Sequence, residues 1–217
     1  MKIIHQLIGF LAFVSFSTLV SCTSIPTDVK YTVISEVKND SINKVNIDIQ
    51  LNKKVTEEVL GLIGEKLKAD LKLENYSKIW MFYYLPDMKV GSGAWATTHF
   101  TPGIEIKILG ATQNQTDTSV KKADEVEGNI IGKWKEDQYT SAVYVIYENN
   151  NQTIIRTLFA NGQKSDDQLK SSKENSSTRY DYKSEGFNGE YFKVNANNEL
   201  EFYNKENKLF TKGLPLK

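Results

Sequence analysis

Cysteine and histidine are scarce in this 217-residue sequence, which contains one cysteine, Cys22, and two histidines, His5 and His99. A single cysteine excludes an intramolecular disulfide, so the folded part must depend on burial of a core. A zinc site built from several Cys or His ligands is excluded for the same reason. We therefore predict no metal site and no cofactor.

Arginine is almost absent, since only Arg156 and Arg179 are present among 27 basic residues. The 27 acidic residues balance that charge, and no basic stripe is visible. Proteins that bind nucleic acids concentrate positive charge and use arginine to contact phosphates and guanine. We therefore expect no nucleic-acid partner.

Motifs of nucleophilic catalysis are also missing. No G-x-S-x-G elbow occurs, and a Ser-His-Asp triad would have to combine His99 with Ser92 or Ser141. A pair of carboxylates, as in glycosidases, stays open because any two of the acidic residues can meet in space. We expect no catalytic residue, and the alternative is a hydrolase of envelope polymers that uses a carboxylate pair.

The first segment has the features of a secretory signal. Residues 1–21 carry Lys2 and then an apolar run, Leu7–Val20. The sequence Leu19-Val20-Ser21-Cys22 resembles the lipobox of bacterial lipoproteins, which implies cleavage before Cys22 and lipid attachment to its sulfur. An ordinary signal peptide with a stray cysteine and an uncleaved anchor are the alternatives.

Residues 22–28 then form a short tether. No other apolar run reaches the ~18 residues needed to span a membrane. The predicted partners are a membrane, bound through lipid on Cys22, and an unknown envelope protein or small ligand. In a Gram-negative cell, Thr23 after the lipidated cysteine is typical of sorting to the outer membrane, facing the periplasm.

Residues 29–110 predict an α+β domain. Val45, Ile47, Ile49 and Leu51 alternate with polar residues, as in a half-buried strand that pairs with the run before it. Apolar residues at helical spacing follow in 55–71, and three further strands occupy 79–109. The predicted order is ββαβββ, with one helix on an antiparallel-type sheet.

The run YYLPDMKVGSGAWATTHF, Tyr83–Phe100, is the most distinctive stretch. It resembles a segment of a family of small uncharacterised bacterial secreted or lipid-anchored proteins, and this resemblance implies no known activity. One interpretation is a small cleft at Ser92, Trp95 and His99. We favour a hairpin in which Trp95 lies at the margin of the core and His99 lies near water.

The rest of the chain predicts a flexible linker and an all-β domain. Residues 111–127 are polar and without periodicity, and 128–217 contain short strands separated by turns. A meander curled into a small barrel or half-barrel is expected, with the polar stretch 164–178 as a loop. Gly132-Lys133-Trp134 resembles the Gly-x-Trp opening of lipocalin-like barrels, which implies that Trp134 plugs one end.

The sequence therefore favours a lipid-anchored envelope protein that is a non-catalytic binding or interaction module. Tyr180 and Tyr182 belong to an aromatic cluster that is a second candidate surface beside the hairpin. The complete set of candidate binding residues is Ser92, Trp95, His99, Tyr180 and Tyr182.

Overall fold

The computed structural model describes residues 24–216, so the predicted signal peptide and Cys22 lie outside the described part. The chain forms a five-stranded sheet with a helix, followed by a closed eight-stranded antiparallel barrel. The α+β class is thereby confirmed. No helix within the described residues is both long and apolar enough to cross a membrane.

The sheet unit has the predicted ββαβββ order, and its strands lie in the order β1-β2-β3-β4-β5. Its elements are β1 Tyr31–Asn39, β2 Lys44–Leu51, α1 Glu57–Asp70, β3 Lys78–Tyr84, β4 Ala96–Phe100 and β5 Ile104–Ile108. The prediction of an antiparallel-type sheet is wrong for one pair, because β2 and β3 run parallel. Helix α1, between these two strands, returns the chain to the end of the sheet at which β2 began, as a parallel connection requires.

Helix α1 covers one face of this sheet. The Thr56 side chain caps the helix by accepting a hydrogen bond from the Val59 amide. A Cβ on Gly64 would lie 3.1 Å from the Thr98 side chain, so this glycine allows the helix to pack closely on β4. The alternating apolar residues of β2 are all buried in one core cluster with apolar residues of α1, which confirms that strand's predicted inward face.

The barrel is a complete meander closed by pairing of its first and last strands. These strands are β6 Asn129–Glu136, β7 Ala142–Asn149, β8 Gln152–Phe159, β9 Lys164–Glu174, β10 Ser177–Tyr182, β11 Tyr191–Val194, β12 Leu200–Tyr203 and β13 Leu209–Pro215. The predicted loop at 164–178 is wrong, since β9 and the start of β10 occupy it. Strand β9 is polar, but pairing with β8 and β10 satisfies its backbone.

Residues 111–127 are not a flexible linker, because they contain helix α2, Gln113–Ala123. Thr112 and Gln115 form a reciprocal capping box at its start. Ala123 is fully buried, in one cluster with Val143 and Val145 of the barrel's outer face. The buried side of α2 consists of small residues, so the sequence showed little apolar periodicity.

Trp134 is fully buried inside the barrel, above Gly132. Its Nε1 donates a hydrogen bond of 2.6 Å to the carbonyl of Asn198, in the turn between β11 and β12. That turn lies at the end of the barrel opposite the start of β13. Trp134 therefore fills one end of the barrel and leaves the other end to different side chains.

Candidate binding site

The predicted binding residues do not form one surface. Trp95 is fully buried in the core of the sheet unit, deeper than the margin we expected, and its Nε1 donates to the carbonyl of Ala111 at 2.9 Å. Tyr180 is buried in the core of the barrel. Cys22, the predicted lipidation site, lies outside the described residues.

His99 lies on the sheet face opposite α1, half-buried against Trp80. The two rings stack with centroids 5.0 Å apart, and Lys44 Nζ lies 3.2 Å from the Trp80 ring centroid. Burial lowers the pKa of His99, an effect that the nearby Glu105 carboxylate opposes and that Lys107 and Lys44 reinforce. Removal from water thus favours the neutral imidazole.

Ser92 belongs to the loop between β3 and β4, which contacts the barrel at Gln138. Gly91 and Gly93 both have positive φ, which lets the chain turn tightly around Ser92. The Gln138 side chain accepts from the Lys89 amide at 2.5 Å and donates to the Ser92 carbonyl at 3.2 Å. This loop therefore holds the sheet unit against the barrel. The contacts use its backbone amide and carbonyl groups rather than the Ser92 hydroxyl.

A cleft of about 560 Å³ lies between the sheet unit and the barrel. Its walls come from the β2–α1 connection, the loop after β3, helix α2 and strands β6 and β13. Its charged lining residues are Lys53, Lys54, Asp87, Lys89, Lys135, Asp137, Glu199 and Lys212. Sequence reasoning missed this site because its residues are scattered along the chain and form no motif.

Two lysines share one carboxylate in this cleft. Lys54, whose side chain is only 4% exposed, places Nζ 2.7 Å from Asp137 Oδ1 and 2.7 Å from Thr116 Oγ1. Lys135 Nζ lies 3.1 Å from Asp137 Oδ2. Burial lowers the pKa of Lys54, and Asp137 opposes that shift. Lys54 is poorly solvated and is also influenced by the Asp117 carboxylate, whereas Lys135 is 37% exposed and is the lysine of this group that a ligand in the cleft can reach.

The loop that carries Asp137 is held by a buried carboxylate at the end of β6. Glu136 is 1% exposed and accepts hydrogen bonds from the amides of Tyr139 and Thr140, at 3.0 and 2.7 Å. It also accepts from Thr211 Oγ1 at 2.8 Å, which ties the loop to β13. These bonds fix the backbone that presents Asp137 to the cleft.

The rim of the cleft is apolar and exposed. Tyr139, Leu209 and Phe210 line it with 54%, 39% and 44% of their surface exposed. The Tyr139 and Phe210 rings meet edge to face, with centroids 6.3 Å apart. Large apolar side chains that gather at the surface around a cavity are typical of binding sites.

A second cavity of about 250 Å³ opens at the unplugged end of the barrel. Nine of its fifteen lining residues are aromatic, and the predicted residue Tyr182 is one of them. The Tyr182 ring stacks on Phe187 with centroids 3.5 Å apart. Phe210 and Thr211 line both cavities, so the cleft and this barrel mouth are neighbours.

No group of three or more His, Cys, Asp or Glu side chains within 24–216 is arranged to hold a metal ion. In the cleft, the pKa of Glu199 is lowered by hydrogen bonds from Asn195 and Lys212.

Comparisons of the chain with protein-family models, with curated proteins and with solved structures find no match.

Proposed function

We propose that this protein is a lipid-anchored, non-catalytic binding module of the cell envelope, and that the cleft between sheet unit and barrel binds an anionic ligand. The observation that supports the cleft is the sharing of Asp137 by Lys54 and Lys135. An anion in the cleft would approach Lys135, whose side chain is 37% exposed, and would add to Asp137 in balancing the buried charge of Lys54. The apolar rim around these lysines suits a ligand that is not purely ionic.

Anchoring is supported by the lipobox-like sequence and by the position of the chain's only cysteine, Cys22. Several acyl chains hold a protein stably on a membrane, whereas one gives marginal binding. In a Gram-negative cell we place the protein on the outer membrane, facing the periplasm. Cys22→Ala should move the protein out of the membrane fraction, and retention of the variant there after a high-salt wash would refute the anchor.

A hydrolase that uses a carboxylate pair is less well supported. Its general acid needs a raised pKa, so that it carries a proton at neutral pH. Lysines neutralise the acids whose contacts are described in the cleft, since Asp137 contacts Lys54 and Lys135, and Glu199 lies 2.9 Å from Lys212. The pKa of Glu199 is lowered by its hydrogen bonds from Asn195 and Lys212, which is the opposite of what a general acid needs and favours a binding role.

The cleft can be tested with inorganic phosphate as the probe. Two lysines of β6 give a matched pair, because Lys135 lines the cleft while Lys133 pairs with Asp124 outside it. Amide chemical shifts around Asp137 should move as phosphate is added. Lys135→Gln should weaken the affinity several-fold, and Lys133→Gln should leave it unchanged. Equal affinity in both variants would refute the cleft as an anion site.

A further inference from the structure

The cleft and the barrel mouth are neighbouring cavities that share Phe210 and Thr211, and their other lining residues differ in character. Phe210 lines both cavities, so the exposed ring lies between the lysines of the cleft and the aromatic wall of the mouth. The mouth also contains Asp167 and Glu190, whereas the cleft contains the two lysines that share Asp137. An anionic group is therefore favoured in the cleft and opposed at the mouth, which suits an apolar chain instead.

Asp28, near the start of the described residues, is held beside this cleft. Asn52 and Lys53 line the cleft, and both hold Asp28: Asn52 Nδ2 donates to its carbonyl at 3.0 Å, and Lys53 forms an ion pair with its side chain. Cys22 precedes Asp28 by six residues, which span at most about 20 Å when fully extended. A membrane that holds Cys22 would therefore lie close to the edge of the cleft.

We propose that the ligand is an anionic lipid of that membrane. Its phosphate lies beside Lys54 and Lys135, and its acyl chain passes Tyr139 and Phe210 into the barrel mouth. This inference rests on the proposed function, because it assigns the ligand class of the same cleft. We infer a membrane lipid rather than a free metabolite because the tether would hold the cleft near the membrane. We infer a ligand with an acyl chain because the barrel mouth is lined by aromatic side chains.

The experiment uses alkyl phosphates of increasing chain length, with inorganic phosphate as the head group alone. The protein is the chain from Ser24 onward, which keeps every described strand and helix. Calorimetric titrations at fixed salt, below the critical micelle concentration of each compound, give the dissociation constants. Each methylene that becomes buried should tighten binding roughly fourfold, until the barrel mouth is full.

Two serines of β9 give a variant that blocks the barrel mouth and a matched control variant that does not. Ser165 lines the barrel mouth, whereas Ser172 is exposed and lies on the other side of the strand. Ser165→Phe should abolish the dependence on chain length and keep the affinity for inorganic phosphate, and Ser172→Phe should change neither. Phe210→Ser should also weaken the dependence on chain length, and because the ring is 44% exposed its removal spares the core.

The possible outcomes separate the two proposals. Inorganic phosphate binding as tightly as dodecyl phosphate would overturn the lipid inference and retain the anion site. A dependence on chain length that survives both Ser165→Phe and Phe210→Ser would overturn the path into the barrel. Absence of binding by every phosphate compound would overturn the proposed function as well.

Flotation with vesicles should show binding to phosphatidylglycerol and none to phosphatidylcholine alone, and equal binding to both would refute recognition of the anionic head group.

Discussion

Replacement of Gly132 by alanine should destabilise the barrel through one defined collision. A Cβ at this position would lie 2.3 Å from Cη2 and 2.5 Å from Cζ2 of Trp134. Nonbonded carbon atoms do not approach this closely, so either the indole or the strand backbone would have to shift. The indole has little freedom to move, because it is fully buried and its Nε1 is bonded to the Asn198 carbonyl. Overpacking of a core costs about 1–3 kcal/mol, and we expect a value near 3 for Gly132→Ala.

Equilibrium urea unfolding of four variants tests this reasoning. Gly186→Ala is the control, because no heavy atom lies within 4 Å of its added Cβ, and its effect should stay within about 0.5 kcal/mol. Trp134→Ala alone should cost about 3–5 kcal/mol. In that background the collision is gone, so adding Gly132→Ala should cost almost nothing. An equal cost of Gly132→Ala with and without the indole would refute the steric explanation.

Three further predictions concern the core, the cleft and the sheet face. Trp95→Ala should lower the free energy of unfolding by about 3–5 kcal/mol and speed amide exchange near Ala111, whose carbonyl loses its donor; an unchanged urea midpoint would contradict this. Asp137→Asn should cost about 3 kcal/mol at pH 7, because it leaves the buried cation of Lys54 without a carboxylate. Since the pKa of Lys54 is already lowered, the variant should regain stability as the pH rises toward 10.5, and a flat pH profile would speak against a buried charge. Burial lowers the pKa of His99, so its NMR titration midpoint should lie below 6.5. The unfolded chain then binds the proton more readily than the folded one, so stability should fall as the pH drops through 6.5, and His99→Gln should remove that dependence.

The elements that the sequence predicted well are those whose burial follows a simple period. The four inward residues of β2 alternate without interruption, and each is at most 1% exposed. Helix α1 likewise buries Val59, Ile63 and Leu67 at helical spacing. In these segments local pattern and tertiary burial agree, so a single sequence is sufficient.

Strand β9, helix α2 and the cleft escaped prediction for a shared physical reason. Each depends on partners that are distant in the chain. Strand β9 buries mainly Leu169 and is held by pairing on both sides, while α2 packs through Ser119 and Ala123. In the cleft, Lys54 meets Asp137 only because the packing of the sheet unit against the barrel brings the β2–α1 connection to the β6–β7 turn. Polar residues of this kind carry no periodic signal that would reveal their contacts.

The closure of the barrel also has a consequence for how the chain folds. Every barrel pairing joins consecutive strands except that of β6 with β13, where Lys135 meets Leu214 and Trp134 meets Pro215. Hairpins between neighbours can form as soon as both strands have been synthesised, but this last pairing must wait until β13 emerges. Until then β6 presents an unpaired edge, which is a template for association with other chains. Nascent chains that stop short of β13 should therefore be the form of this protein most prone to aggregation.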